Sequence, residues 1–162
     1  MSAIVPDRAA LCAYVGAADA ALLSLSLLAD TETPISAFAR LGGGDGSPCF
    51  LLESVEGGER MARYSFLATR VDTALRIHGD VAELHSDAGI ERAPCPSPLD
   101  AVRAFVPQRS LWSPRPLPRF CAGAVGLFAF DCVRFFERVT LPTTGGPSVP
   151  DIALLRPNVL VA

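Results

Sequence analysis

The stretch from Leu51 to Phe66 reads LLESVEGGERMARYSF and decides how the middle of the chain folds. Apolar segments lie at both ends of this stretch, and Gly57 and Gly58 lie between them. Glycine adopts the positive φ that tight turns require. We therefore predict a β-hairpin with strands over 50–55 and 63–68 and a turn over 56–59.

Two polar residues interrupt the first of these strands. Side chains alternate along a strand, so Glu53 and Ser54 would lie on opposite faces, and a buried polar group needs a partner. Near the strand end both side chains could reach a ligand between sheets. The Glu53 carboxylate could then bind an ammonium group of the ligand, and the Ser54 hydroxyl or a strand amide could bind a carboxylate of the ligand. Local chemistry alone favours the simpler alternative, in which the two residues only begin the turn.

Further elements flank this hairpin on both sides. A second hairpin is predicted over 73–86, with Gly79-Asp80 as its two-residue turn. A helix is predicted from a Thr33 cap and Pro34 to Gly42. Ile35, Phe38 and Leu41 are predicted to form the buried face of this helix. Toward the N-terminus we predict a helix over 7–14 and a half-buried strand on which Leu23, Leu25 and Leu27 face the core.

The C-terminal half continues the same mixture of elements. Ser97, Pro98 and Asp100 predict a capping-box start for a short helix. We also predict a buried strand over 121–130, a helix over 132–139 capped by Asp131, and a final strand over 152–162. These elements indicate an α+β fold of largely antiparallel sheets with flanking helices, formed as one domain over residues 1–162.

Composition excludes several classes of function. The net charge of −3 gives no basic surface for a phosphate backbone, so we expect no nucleic-acid partner. The chain contains no lysine, which excludes Walker-A loops, Schiff-base chemistry and protein kinases. The apolar runs 20–29 and 121–130 have about half the length of a membrane-spanning helix. We also find no basic segment of the kind that begins a signal peptide. We therefore expect a cytoplasmic protein without a membrane partner.

Side chains suited to metal binding or catalysis are sparse. The five cysteines form no Cys-x-x-Cys pair, and we expect them to be reduced core residues. The turn at 79–80 would pair His85 near Ala74, so the imidazoles of His78 and His85 would not face each other. We predict no metal site and no catalytic residue in this chain.

Three segments in order resemble the N-terminal domain of anthranilate synthase component I, a family of chorismate-using enzymes. They are LLADTETPISAFARL, CFLLESVEGGERMARYSFLATR and AGAVGLFAFDCVRFFERV, and together they extend over nearly the whole chain. The resemblance implies the fold of that domain, which the large subunit of aminodeoxychorismate synthase shares. It also implies that the C-terminal chorismate-binding catalytic domain is absent from these residues.

The resemblance further implies a regulatory function in tryptophan biosynthesis. In that family LLES holds the feedback inhibitor L-tryptophan, so the resemblance predicts Glu53 and Ser54 as the binding site. The strand across the hairpin, over 63–66, would form an adjacent wall of the site, from which Tyr64 and Ser65 are included as site residues. Magnesium and chorismate would belong to the absent domain, and ammonia would come from the glutamine amidotransferase component II. The alternatives are the N-terminal part of an aminodeoxychorismate synthase and a freestanding ligand-binding or scaffold module.

Overall fold

A computed structural model describes residues 3–14, 18–53, 64–106, 108–141 and 149–162 of the chain. Short helices lie between groups of strands along these residues. The helices are α1 (Arg8–Ala13), α2 (Pro34–Arg40), α3 (Pro98–Phe105) and a 3₁₀ helix (Phe130–Phe135). The strands are β1 (Ile4–Val5), β2 (Ala20–Ala21), β3 (Ser24–Leu25), β4 (Phe50–Leu52), β5 (Phe66–Ala68), β6 (Thr73–His78), β7 (Val81–Ser86), β8 (Gly89–Pro94), β9 (Leu111–Trp112), β10 (Val125–Phe128) and β11 (Ile152–Arg156).

A five-stranded antiparallel sheet forms the centre, with the order β10-β11-β6-β7-β8. Its middle pair joins β11 to β6 and sets Ile152 directly opposite Ile77. Both isoleucines are 0% exposed. The other described strand pairs are β1–β3, β2–β9 and β4–β5, of which only β2–β9 is parallel. The predicted α+β fold of largely antiparallel sheets is confirmed.

The two faces of this sheet support separate apolar clusters. The first cluster contains Leu75, Ile77, Cys95, Phe105, Cys132, Ile152 and Leu154. The second cluster contains Phe50, Ala68 and Val71, with Phe120, Val125, Leu155 and Leu160 packed against it. Leu154 and Leu155 are neighbours on β11 and alternate between the faces, so each contributes to a different cluster. The second cluster therefore holds β4 and β5 against the far face of the sheet.

Asp151 ties the 3₁₀ helix to the central strands. Its Oδ2 accepts hydrogen bonds from the backbone N–H of Gly79 at 2.6 Å and from Arg134 at 2.7 Å. Its backbone carbonyl accepts from the N–H of Ala129 at 2.7 Å, and its own N–H donates to Ile77 at 2.8 Å. The residue is thus a junction between the β6–β7 turn and the chain that follows β10.

The predicted hairpin over 73–86 is confirmed. β6 and β7 pair through the turn at 79–80, and His85 lies opposite Ala74, as the two-residue turn predicts. On the neighbouring pair, Glu83 accepts a hydrogen bond from Arg92 at 2.7 Å. The final strand is confirmed over Ile152–Arg156 and ends before Pro157, since proline has no N–H for the ladder. Val161 then forms an isolated bridge with Leu67.

The alternating leucines near the N-terminus were predicted incorrectly. Only Ser24–Leu25 forms a strand there, and it pairs with the equally short β1. Leu23, Leu25 and Leu27 each remain at least half exposed. Period-two alternation requires a second layer to bury one face, and in the described part of the chain no element covers these leucines.

The cap of α2 was predicted correctly but its buried face was not. Thr33 and Ser36 form a reciprocal capping box, Pro34 begins the helix, and Gly42 has the φ of +90° that terminates it. Ile35 and Leu41 are nevertheless exposed, and Phe38 is only partly buried. The helix contacts β4 and β5, and among the residues that the structure describes no further layer lies outside it, so only part of its apolar face is covered there.

Three predictions for helix starts and strand burial need correction. The Ser97 hydroxyl donates to the Asp100 carboxylate at 2.6 Å instead of capping the backbone of α3. The helix predicted to start after Asp131 is a 3₁₀ helix whose N-cap is Ala129. The predicted buried strand over 121–130 is β10 at the sheet edge, where Leu127 and Phe128 are half exposed because a second neighbouring strand is absent from the described residues.

The cysteines were predicted correctly in part. All five are free, but only Cys95 and Cys132 are buried, and Cys12 is exposed. Burial raises the pKa of both the Cys95 and the Cys132 thiols, which keeps them protonated at neutral pH. Within the residues that the structure covers, no helix has the length and apolar character needed to cross a membrane.

Gly126 should not tolerate a side chain. A Cβ at this position of β10 would overlap the backbone carbonyl of Ala153 on β11. We expect Gly126→Ala to lower the free energy of unfolding by about 1–3 kcal/mol, since the strands must separate to fit the methyl group. Urea denaturation followed by circular dichroism measures the loss. Leu127→Ala, at the exposed neighbour, is the control and should change stability by about 0.5 kcal/mol or less; equal losses would contradict the steric argument.

The Glu83–Arg92 ion pair should affect how the free energy of unfolding falls at acidic pH. The hydrogen bond donated by Arg92, and after it the one donated by His85, lowers the pKa of Glu83 below its ordinary value of 4.5. A lowered folded-state pKa stabilises the fold above 4.5, and this contribution is lost as pH falls through the folded pKa. We expect Arg92→Ala to raise the Glu83 pKa toward 4.5 in an NMR titration of its carboxyl carbon. The exposed Arg115→Ala should leave it unchanged.

Candidate functional site

The candidate site is built on the antiparallel pair β4–β5. Phe50 lies opposite Ala68, Leu51 opposite Leu67, and Leu52 opposite Phe66. The strands of the predicted hairpin are therefore confirmed at Phe50–Leu52 and Phe66–Ala68. Ser54 and the predicted turn over 56–59 lie outside the described residues.

The chain around this pair is held in place by several independent contacts. Thr69 Oγ1 donates to the carbonyl of Leu41 at 2.8 Å, at the C-terminus of α2. The N–H of Val71 donates to the carbonyl of Pro48 at 2.9 Å, and Leu67 exchanges two backbone hydrogen bonds with Val161, both of 2.9 Å. The pair is thus fixed to a helix, to a loop and to the C-terminal segment.

The described polar residues of the predicted site lie at the ends of the two strands. Glu53 follows β4 directly and is exposed. Ser65 precedes β5 and is half-buried, and Tyr64 is 41% exposed. If the strand alternation continues, Glu53 and Ser65 share the face of Leu51, whereas Tyr64 shares the opposite face with Phe66. The exposed carboxylate is available to an ammonium group from solvent.

Aromatic rings beside these residues form a continuous row. The rings of Tyr64 and Phe66 are stacked with centroids 5.9 Å apart and an interplanar angle of 26°. Phe66 then contacts Phe120 edge-on, at 5.6 Å and 85°. Leu52, which lies opposite Phe66, is 41% exposed and extends this apolar surface. We call Tyr64, Phe66 and Phe120 the aromatic row.

The wall predicted over 63–66 contains two members of the aromatic row, Tyr64 and Phe66, and the third was not predicted. Phe66 follows Tyr64 at the two-residue spacing that places side chains on one strand face. Phe120 has no local signal, since it comes from the chain after β9 and reaches the row only through tertiary packing.

A shallow cavity of about 280 Å³ lies elsewhere, along the edge strand β8. It is lined by Asp80, Val81, Arg92, Ala93 and Pro94, none of which belongs to the predicted site. Its lining combines Asp80 and Arg92, which is ion-paired with Glu83, with small apolar groups. In the described part of the chain, no three side chains of the metal-binding types come together.

Searches against known proteins find extended similarity to component 1 of anthranilate synthase. The chain is 37% identical over 142 residues to the protein of Pseudomonas putida, over 139 residues to that of Aquifex aeolicus and over 137 residues to that of Mycolicibacterium smegmatis. These matches cover 86%, 86% and 84% of the chain but only 28%, 28% and 26% of the relatives. No family model matches the chain.

The comparisons confirm the resemblance that the three sequence segments predict. The chain spans a little over a quarter of the length of the curated relatives it matches. The remaining length of those relatives has no counterpart in these residues.

Glu53 should be replaceable without loss of stability. Its carboxylate is exposed at the end of β4, and exposed substitutions usually change stability by less than about 0.5 kcal/mol. We expect Glu53→Gln to unfold at the same urea concentration as the unmodified chain. A clear drop in the midpoint would show that the carboxylate supports the fold, and would contradict its assignment as a ligand group.

Proposed function

We propose that this chain, which is similar to a segment of component 1 of anthranilate synthase, is the tryptophan-sensing N-terminal domain of such an enzyme. It would bind L-tryptophan at Glu53 and Ser54, beside Tyr64 and Ser65, and would be catalytically inert alone. The chorismate and magnesium chemistry would belong to a C-terminal domain or chain, and ammonia would come from the amidotransferase component II.

The observation that carries the proposal is the extent of the similarity. It covers more than four fifths of this chain in relatives from distant bacteria, and those quoted above are all named as anthranilate synthase component 1. These names favour the anthranilate branch over the aminodeoxychorismate branch. They also favour a pathway protein over a freestanding module that has no catalytic partner.

The chemistry of the site residues supports an amino acid as the ligand. An exposed carboxylate at Glu53 attracts an ammonium, and a charge-assisted hydrogen bond of this kind contributes about 1.5–3 kcal/mol. A hydroxyl or a strand amide accommodates a carboxylate. Leu51, which is partly buried, shares the strand face of Glu53 and provides apolar surface for an indole.

Feedback inhibition requires more than binding. Tryptophan must bind one of two arrangements of the whole enzyme more tightly, typically by about 1–3 kcal/mol, and so shift the population toward the inactive one. The hydrogen bonds from Thr69, Val71 and Leu67 fix the β4–β5 pair to the rest of the domain. Movement of the strand pair would therefore be shared by the domain and could change its contact with a catalytic partner.

The proposal predicts that Ser54→Phe abolishes tryptophan binding. Calorimetric titration of the unmodified chain with L-tryptophan should give saturable heat, and a phenyl ring at position 54 should occupy the ligand's place. Ser26→Phe, at an exposed serine outside the strand pair, is the matched control and should bind normally. Absence of saturable heat in the unmodified chain would refute tryptophan sensing by this domain. Normal binding by Ser54→Phe would show that the ligand lies elsewhere.

A further inference from the structure

The two edges of the five-stranded sheet differ in chemistry. β8 forms one edge, carries Glu91 and Arg92 in its middle and ends at Pro94. Charged side chains and proline protect an edge from pairing with another strand, because charges stay in water and proline has no N–H. β10 forms the other edge, and residues 121–130, which contain it, include neither a charged residue nor a proline. We call the side of β10 that faces away from β11 the open edge.

The side chains of β10 are only half covered. Leu127 and Phe128 point to opposite faces of the sheet, and each is 50% exposed. Phe128 nevertheless lies directly opposite Ile152, which is 0% exposed. A strand added at the open edge would cover apolar groups on both faces. It would also provide partners for the backbone N–H and C=O groups that point away from β11.

The open edge is connected by packing to the strand pair of the candidate site. Val125 is the first residue of β10, and it packs against the cluster that contains Phe50 and Ala68. Those two residues are a cross-strand pair of β4 and β5. A neighbour at the open edge would therefore be one strand away from the elements that bear the predicted regulatory residues.

The relatives indicate where such a neighbour would come from. The chain matches only 28% of the Pseudomonas putida protein, so most of the length of that protein lies outside the matched segment. In the function we propose, this remaining part is the catalytic partner that the sensing domain must contact.

We propose that the open edge of β10 is an interaction surface that accepts an uncharged, apolar β-strand from the remaining part of an anthranilate synthase component 1. The inference rests on the proposed function, because that function supplies the partner. Main-chain hydrogen bonds hold an added strand, and alternating side chains set its fit. Here Leu127 and Phe128 provide the apolar contacts on the two faces. The β8 edge, with its charges and proline, stays in solvent.

Matched lysine substitutions at the two edges test the proposal. The chain is tagged and co-expressed with a second chain that consists of the Pseudomonas putida protein without its matched segment. We expect the two to co-purify as a complex. Leu127→Lys places a charge at the open edge and should weaken the complex by about tenfold or more, because the ammonium would be buried without a partner. Ile90→Lys, at a 55% exposed position of β8, is the control and should bind normally.

Hydrogen exchange distinguishes strand addition from other contacts. Alternate amides over 125–128, those that point away from β11, should exchange more slowly in the complex, whereas the amides over 89–94 should not change. Urea denaturation should give the same midpoint for Leu127→Lys and Ile90→Lys, since both replaced side chains are at least half exposed.

Each other outcome overturns the proposal. Absence of a complex refutes docking of this partner, and self-association that Leu127→Lys abolishes would then assign the open edge to a second copy of the chain. Full binding by Leu127→Lys, or equal weakening by Ile90→Lys, refutes the assignment to β10. A complex whose sensing chain gives no saturable heat with L-tryptophan would refute only the sensing function. Tryptophan binding without a complex would refute only the role of the open edge.

Discussion

The cross-strand contact between Ile77 and Ile152 is the interaction on which the rest of the structure depends. These side chains come from β6 and β11, far apart in the chain, and are fully removed from water. Each contributes about 1.5–3 kcal/mol through burial of its apolar surface. Next to this contact, the N–H of Asp151 bonds to the carbonyl of Ile77, and the carboxylate of Asp151 joins Gly79 to Arg134. The central pairing and the attachment of the 3₁₀ helix are therefore one structural unit.

The far face of the same sheet positions the candidate site. Val125 and Leu155 lie opposite each other on β10 and β11, and both pack on the cluster that includes Phe50 and Ala68. These last two residues are themselves a cross-strand pair of β4 and β5. The strand pair that bears the predicted site residues is thus set by contacts with the main sheet, and its polar and aromatic groups extend from a fixed base.

Recognition and chemistry are separated in the function we propose. In the described residues no three side chains of the metal-binding types come together, and Glu53 presents an exposed carboxylate at the end of β4. A carboxylate of this kind suits a ligand that carries an ammonium. A domain with the function we propose would regulate by preferring one state of a larger assembly.

The sequence alone determined the features that depend on local chemistry. The turn at Gly79-Asp80, the Thr33 cap with Pro34 and the strand at Ile152–Arg156 all follow from residues close together in the chain. The family resemblance follows from the order of three segments along the sequence. Only the tertiary structure decided which apolar residues are buried. Leu25 and Leu127 occupy well-patterned strands but remain exposed, and Phe120 joins Phe66 with no sequence signal. Turns and caps are set by the backbone preferences of a few neighbouring residues, whereas burial requires a covering layer that comes from distant parts of the chain.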